Sequence, residues 1–347
     1  MIALIGNCPS SGSTLLADLL DSTQFSACGE ELEFFCNKKI YDYEKYKKNI
    51  NTVSGTYQIC VTGIYPKLQK LGNYGFSLPD FSNLIKNSDS LVDFTNSFTK
   101  RFLEHREKNS SGIVFEKTPQ NLNCIGEFLE AFPTSHFIFI VRNPLYIYPS
   151  LLKRNRGNYV ALVNWLVDVA KYFQYKDHDR VVAIKYEDLV ERPYEIVVEL
   201  MQRVAGIKEI SENELEESYK NNQFRRENAK KISTWNVQEY GTIQNANEKP
   251  IDEKLLPELV KLMNLKVSTR YAQLFNLPEL SFESAIKEFG YRNSIDTILA
   301  DVVKSSTLPR KSVEDYKLLL TRWGRAYLNG EAKIGDISAY LNSVELI

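Results

Sequence analysis

The sequence predicts an α/β protein: a doubly wound parallel sheet flanked by helices, followed by an α-helical C-terminal extension. Two observations carry the sheet. Short apolar runs at Ile2–Ile5, Ile113–Phe115, His136–Val141 and Arg180–Lys185 have the length and composition of buried strands. Helical stretches alternate with them, which is the pattern of parallel strands joined by crossovers. A third observation bounds the domain. From Ser281 onward the pattern is helical without strands, broken near Pro309, so residues 1–280 read as the main domain and 281–347 as the extension.

The first strand leads into a loop of small residues, Gly6 to Gly12, and Ser13 and Thr14 then open a helix with Leu15, Leu16, Leu19 and Leu20 on one face. A strand, a small-residue loop and a helix N-terminus form an anion site, because unpaired N–H groups and the helix dipole favour negative charge. A tight turn in an ordinary α/β protein is the simpler reading. The loop is not a Walker motif: Gly12 is followed by Ser13-Thr14 without the intervening lysine.

Behind this helix, Gly29 precedes two carboxylates, Glu30 and Glu31. They fit either a helix start with acids at its positive end or a general base near a transferred group. Residues 37–55, rich in Lys, Tyr and Asn, read as an exposed helix or lid; its aromatics are either acceptor contacts or part of a solvated face. Tyr57–Gly63 reads as a strand, 72–90 as loop, and 91–108 as an amphipathic helix with His105 at the surface.

The strand at 113–115 is followed by Lys117, at the sheet edge where parallel sheets bind ligands. There a lysine is an electrostatic catalyst or half of a structural salt bridge. Residues 120–131 are helical. The strand at 136–141 ends in Arg142-Asn143-Pro144, and the next helix carries Ser150 two turns along, then the basic run 153–156. Arginine plus hydroxyl makes a phosphate clamp. Residues 159–176 form a helix with Trp165 in the core. Arg180–Lys185 is a strand followed by Tyr186-Glu187-Asp188-Leu189, and Pro193 starts a helix that ends before Gly206. Residues 211–250 are polar and irregular, a lid or ligand clamp, and 251–264 are helical.

Composition narrows the classes. The 347 residues are 43% hydrophobic and 25% charged, an ordinary globular balance, and the net charge of −1 gives no electrostatic support for nucleic-acid binding. Five scattered cysteines form no metal-type pairing and point to a reducing compartment. With no apolar run of membrane-spanning length and the first strand directly after Met1, a cytoplasmic protein is expected.

These motifs together resemble the sulfotransferase family that uses 3'-phosphoadenosine 5'-phosphosulfate (PAPS), whose fold is of P-loop type. That family's first loop reads Pro-Arg/Lys-Ser-Gly-Thr-Thr; here it is Pro9-Ser10-Ser11-Gly12-Ser13-Thr14. Its strand-end Arg and the Ser eight residues on, which hold the 3'-phosphate, correspond to Arg142 and Ser150. Tyr186–Leu189 resembles the stretch after its fourth core strand, which adds Tyr186 to the donor-binding set. The tyrosylprotein sulfotransferases and their bacterial relatives are the branch most resembled, through Cys28-Gly29-Glu30-Glu31.

The resemblance spans about the first 250 residues. It implies Glu31 as general base, Lys117 assisting the sulfuryl group, Arg154 as a further donor contact and Ser233 as a late catalytic serine. It also implies a hydroxyl-bearing acceptor, PAP as product and no metal. The family's basic loop residue is Ser10 here, so its work at the leaving oxygen falls to Lys117, Lys230 or Lys231. Two other classes stand against this reading: a non-catalytic PAP-binding scaffold of the same fold, and a P-loop kinase or nucleotide hydrolase.

Overall fold

The computed structural model describes residues 1–50, 71–222, 243, 247, 250–300, 302, 307–328 and 332–347. The expected strand at 57–63 lies outside them, as do Lys230, Lys231 and Ser233. Five strands, β1 (Ile2–Asn7), β2 (Ser26–Cys28), β3 (Ile113–Lys117), β4 (Phe137–Val141) and β5 (Val181–Lys185), are hydrogen-bonded in the order β2-β3-β1-β4-β5. From β1 the chain builds β2 and β3 to one side and β4 and β5 to the other, so the loop after β1 leaves the sheet where the winding direction changes. β3 pairs in parallel with both β1 and β2: Ile2 lies opposite Val114 and Ile5 opposite Lys117, while Cys28 lies opposite Phe115. Every residue of β1, β3 and β4 is buried, which is why Ile2–Ile5, Ile113–Phe115 and Phe137–Val141 within them read as apolar runs.

The chain divides into two compact units. One comprises Met1–Gly6, Gly12–Ile138 and Tyr186–Ala246; the other comprises Asn7–Ser11, Phe139–Lys185 and Asn247–Ile347. In the first unit, the Leu91–His105 helix aligns Phe94, Phe98 and Phe102 on one face. These rings pack with Phe34, Phe81 and Tyr74 into an aromatic core, for example Phe94 on Phe98 with centroids 6.0 Å apart. In the second unit, the Asn158–Phe173 helix buries Trp165, which meets Phe282 edge-on at 5.4 Å.

Several local expectations change. Ser26–Cys28 is a strand and residues 29–33 are irregular, so Glu30 and Glu31 do not begin a helix. Tyr43 and Tyr46 on the Tyr43–Ile50 helix are buried, so these aromatics belong to the core rather than to a solvated face. Leu78–Asn87, expected as loop, is a helix: Pro79 occupies its first turn, and Ser77 with Asp80 closes a capping box. Glu212–Asn221, inside the segment read as irregular, is likewise a capped helix. The 251–264 stretch is a 3-10 turn, a four-residue helix and a second 3-10 turn. The C-terminal segment is not free of strands. Val344–Leu346 (β7) pairs antiparallel with β6 (Leu265–Val267), setting Leu346 opposite Leu265. Among the described residues, no helix is long and apolar enough to cross a membrane.

Candidate active site

The loop after β1 carries two unusual conformations. Ser10 is left-handed at φ 75°, and Gly12 caps the Ser13–Asp21 helix at φ 88°. Gly12 cannot be replaced cheaply. Besides the φ, a Cβ there would stand 2.3 Å from the ring of Tyr186, which is itself buried. The first helical N–H groups have no intrahelical partner, and no side chain caps them. The Ser11 hydroxyl is buried and has no hydrogen-bond partner among the described residues. A buried unpaired hydroxyl costs stability, and it lies next to a helix N-terminus, where an anion is favoured. The loop therefore fits a phosphate by an observation independent of its sequence. Ser13 is buried and Thr14 partly exposed at the head of the helix.

In the second unit, Arg142 and Ser150 converge on Ser10. Arg142 Nη1 donates to the Ser10 carbonyl at 3.3 Å, and the Ser150 and Ser10 hydroxyls are 3.1 Å apart. Local sequence explains this placement. Arg142 directly follows β4, Asn143 caps the Pro144–Leu152 helix by accepting from Leu145 N, and Ser150 lies near that helix's end. Arg142 is further fixed by Asn247, whose Oδ1 accepts from Nε at 2.8 Å, and by Trp165, whose Nε1 donates to the Arg142 carbonyl at 3.0 Å. The helix stops at Leu152, so Arg154 stands exposed in the turn beyond it and not on the helical face of Ser150.

In the first unit, Glu31 and Lys117 form an ion pair of 3.1 Å, with the lysine 9% and the carboxylate 27% exposed in their side chains. Lys117 ends β3, and Glu31 lies three residues after β2, its neighbour in the sheet. Glu116 holds this corner together. Its carboxylate is wholly buried and accepts from Leu32 N at 3.0 Å, Thr118 Oγ1 at 2.6 Å and Asn121 Nδ2 at 2.7 Å. Thr118 Oγ1 also accepts from Glu33 N at 3.2 Å. The backbone on the C-terminal side of Glu31 is thus tied to the end of β3 at two points. Burial pushes the Glu116 carboxyl above its ordinary range, while these hydrogen bonds and Lys117 pull the other way. On the N-terminal side, Tyr74 donates its hydroxyl to the Glu30 carbonyl, and its ring leaves no room for a Cβ on Gly29, which would approach within 2.1 Å.

Glu116, Asn121, Tyr74 and Asn247 were not singled out from the sequence. Only Glu116 left a signal there, as a carboxylate inside a strand otherwise apolar up to Lys117. The expected catalytic Ser233 lies outside the described residues.

Comparison with known proteins addresses identity. Several solved structures are similar, three of which follow. The sulfotransferase domain from the Synechococcus PCC 7002 olefin synthase is 17% identical over 63% of this chain and 76% of its own, with a TM-score of 0.42. The sulfotransferase domain from the curacin biosynthetic pathway is 16% identical over 84% and 97%, with a TM-score of 0.43. The sulfotransferase STF9 from Mycobacterium avium is 13% identical over 75% of each chain, with a TM-score of 0.35. No match was found among curated proteins. The family model described as "Sulfotransferase family" matches residues 3–207, more than half of the chain, and that span includes the loop, Glu31, Lys117, Arg142, Ser150 and Tyr186. The chain belongs to the sulfotransferase family.

Proposed function

We propose that the chain transfers a sulfuryl group from PAPS to an acceptor hydroxyl, with Glu31 as the general base. The observation that carries this reading is the Glu31–Lys117 pair, a carboxylate three residues beyond β2 and an ammonium at the end of its parallel neighbour β3, 3.1 Å apart. PAPS supplies the sulfuryl group: an acceptor O–S bond forms, the S–O bond to the donor phosphate breaks, and PAP leaves.

The residues divide the work by their chemistry. The N–H groups at Gly12, Ser13 and Thr14 and the hydroxyl of Ser11 bind the 5'-phosphate, for which the loop has donors without partners. Arg142 and Ser150 bind the 3'-phosphate, and both already meet at Ser10. Tyr186 supports the loop by filling the space beside Gly12. Arg154, exposed beyond the clamp, adds positive charge. Glu31 takes the proton of the acceptor hydroxyl. Lys117, beside it, stabilises the charge that grows on the leaving oxygen, which also answers the loss of a basic residue at Ser10. Glu116 and Tyr74 hold the 30–33 backbone so that the carboxylate keeps its place. The acceptor is a hydroxyl compound of a class the residues do not define.

Calorimetry tests the donor assignment. PAP binds without magnesium and more tightly than ATP with magnesium; the reverse order would favour a nucleotide kinase or hydrolase. PAP binding with no turnover on any hydroxyl acceptor would instead support a non-catalytic scaffold.

A further inference from the structure

We infer that Arg322, in the C-terminal helix Val313–Leu328, is a positioning residue for the donor loop, acting through Asn164 on Cys8. The inference rests on the reading of that loop as the 5'-phosphate site. All the groups concerned lie in the second unit.

The chain of contacts is short and fully satisfied. Asn164, 2% exposed on the Asn158–Phe173 helix, donates from Nδ2 to Cys8 Sγ at 3.1 Å and to Asp168 Oδ2 at 2.8 Å. Its Oδ1 accepts from Arg322. An asparagine amide can turn over and exchange its oxygen for its nitrogen. A guanidinium donating to Oδ1 and the Asp168 carboxylate accepting from Nδ2 together remove that freedom and fix the NH₂ toward Cys8. Burial and the nearby Asp168 push the Cys8 thiol well up, so the sulfur remains a neutral acceptor. The charges packed around this point are Asp168, its partner Lys171 at 3.1 Å, and Arg156, whose own pKa is lowered by burial and by the Arg322 charge.

Cys8 in turn begins the loop. Its carbonyl accepts from Ser11 N at 3.3 Å and from Asn7 Nδ2 at 2.6 Å, closing the turn that carries Ser11, whose hydroxyl is read as a 5'-phosphate donor. The C-terminal helix is anchored at a second point. Asp315, fully buried, accepts from Val160 N at 2.8 Å and so caps the Asn158–Phe173 helix, whose N-cap residue Gly157 supplies no side chain. A Cβ on Gly157 would stand 2.2 Å from the Asp315 carboxyl carbon. Asp315 fixes the helix and Arg322 transmits its position to the loop, which gives the C-terminal segment a role in donor binding.

The test compares two ligands on the full chain. Arg322→Met removes the donor and keeps most of the stem. It weakens PAP binding by about tenfold, the scale of one lost hydrogen bond, and leaves adenosine 3'-phosphate, which lacks the 5'-phosphate, within about twofold of wild type. Arg322→Lys, which restores one donor, recovers most of the PAP affinity. Should Arg322→Met fail to fold, Arg322→Leu, which also lacks a donor, carries the same comparison. A wild-type protein that binds PAP, with variants that bind it equally well, overturns the inference. So does an equal loss for both ligands that tracks a fall in melting temperature, since that marks a purely structural contact. A wild-type protein that does not bind PAP overturns the donor reading itself.

Discussion

Replacing Glu116 with glutamine tests how the Glu31–Lys117 corner is held. Leu32 N and Thr118 Oγ1 both donate to Oε1, which glutamine retains, whereas Asn121 Nδ2 donates to Oε2, where glutamine presents a second amide donor. One hydrogen bond to a charged group is lost and two donors are set against each other, so the expected cost is about 1.5–3 kcal/mol, a fall of a few degrees in Tm. Leucine would leave Leu32 N and Thr118 Oγ1 without this acceptor, at about 1–3 kcal/mol each, while Asn121 Nδ2 keeps the carbonyls of Ile5 and Glu116. That sum is a large fraction of the ~5–15 kcal/mol stability of a whole domain, so Glu116→Leu should be severely destabilised. The pH dependence has a definite sign. Because the folded pKa is raised, native Glu116 holds its proton at pH values where the unfolded chain has lost it. Wild-type stability therefore gains from this group as pH falls through the folded pKa toward the unfolded one, and glutamine lacks that gain. The stability deficit of Glu116→Gln is thus larger at acidic pH, toward the ordinary glutamate range, than at neutrality. Its kcat falls by about 10- to 100-fold through misplacement of Glu31, with PAP affinity unchanged. Chemical denaturation at two pH values and a transfer assay read these effects. A Glu116→Gln protein with wild-type stability and turnover would refute the proposed clamp.

Ser11→Ala should move two measurements in opposite directions. Removing a buried hydroxyl without a partner raises the Tm of the ligand-free protein by an amount equivalent to about 1 kcal/mol, and loss of a phosphate contact weakens PAP by about fivefold. Stability and affinity falling together would show that the hydroxyl is structural. Arg142→Ala should weaken PAP by about 1.5–3 kcal/mol, roughly 10- to 150-fold, and AMP, which lacks the 3'-phosphate, far less. Equal losses in calorimetry would make Arg142 a support for Ser10 and Asn247 only.

The parts of the fold that were legible are those where one stretch of chain decides its own structure. β1, β3 and β4 are buried throughout, and their apolar stretches Ile2–Ile5, Ile113–Phe115 and Phe137–Val141 read directly as strands. β2 is three small residues that form a strand only because β3 pairs with them, so the sequence there resembled a helix start. Pro79 was read as loop punctuation although proline at a first helical turn is favourable, and Tyr43 and Tyr46 were hidden among the lysines of the opposite face of their helix. The site divides the same way. Arg142, Ser150, Lys117 and the loop could be found because strand ends and helix starts fix their positions. Tyr74 against Gly29, Asn247 on Arg142 and Arg322 on Asn164 join residues far apart in the chain, and no local pattern announces such pairs. The carboxylates themselves were found through resemblance and spacing, but what orients them is not the start of a helix. It is the Lys117 ion pair and the Glu116 clamp on an irregular segment.

The central claim is that Glu31 is the base of a sulfuryl transfer, and Glu31→Gln tests it most directly. The variant keeps the side-chain shape and removes the basicity. Glu30→Gln serves as control, since it is the Glu31 carboxylate that pairs with Lys117, while Glu30 is held by its carbonyl on Tyr74. The assay follows labelled sulfuryl transfer from PAPS to a panel of phenols, sugars, lipids and tyrosine peptides, beside PAP calorimetry on the same preparations. For Glu31→Gln the account predicts a kcat lower by roughly 10²–10⁴ with PAP affinity near wild type, and a much smaller loss for Glu30→Gln. Wild-type turnover in Glu31→Gln, or a Glu31→Gln protein that no longer binds PAP, would contradict it.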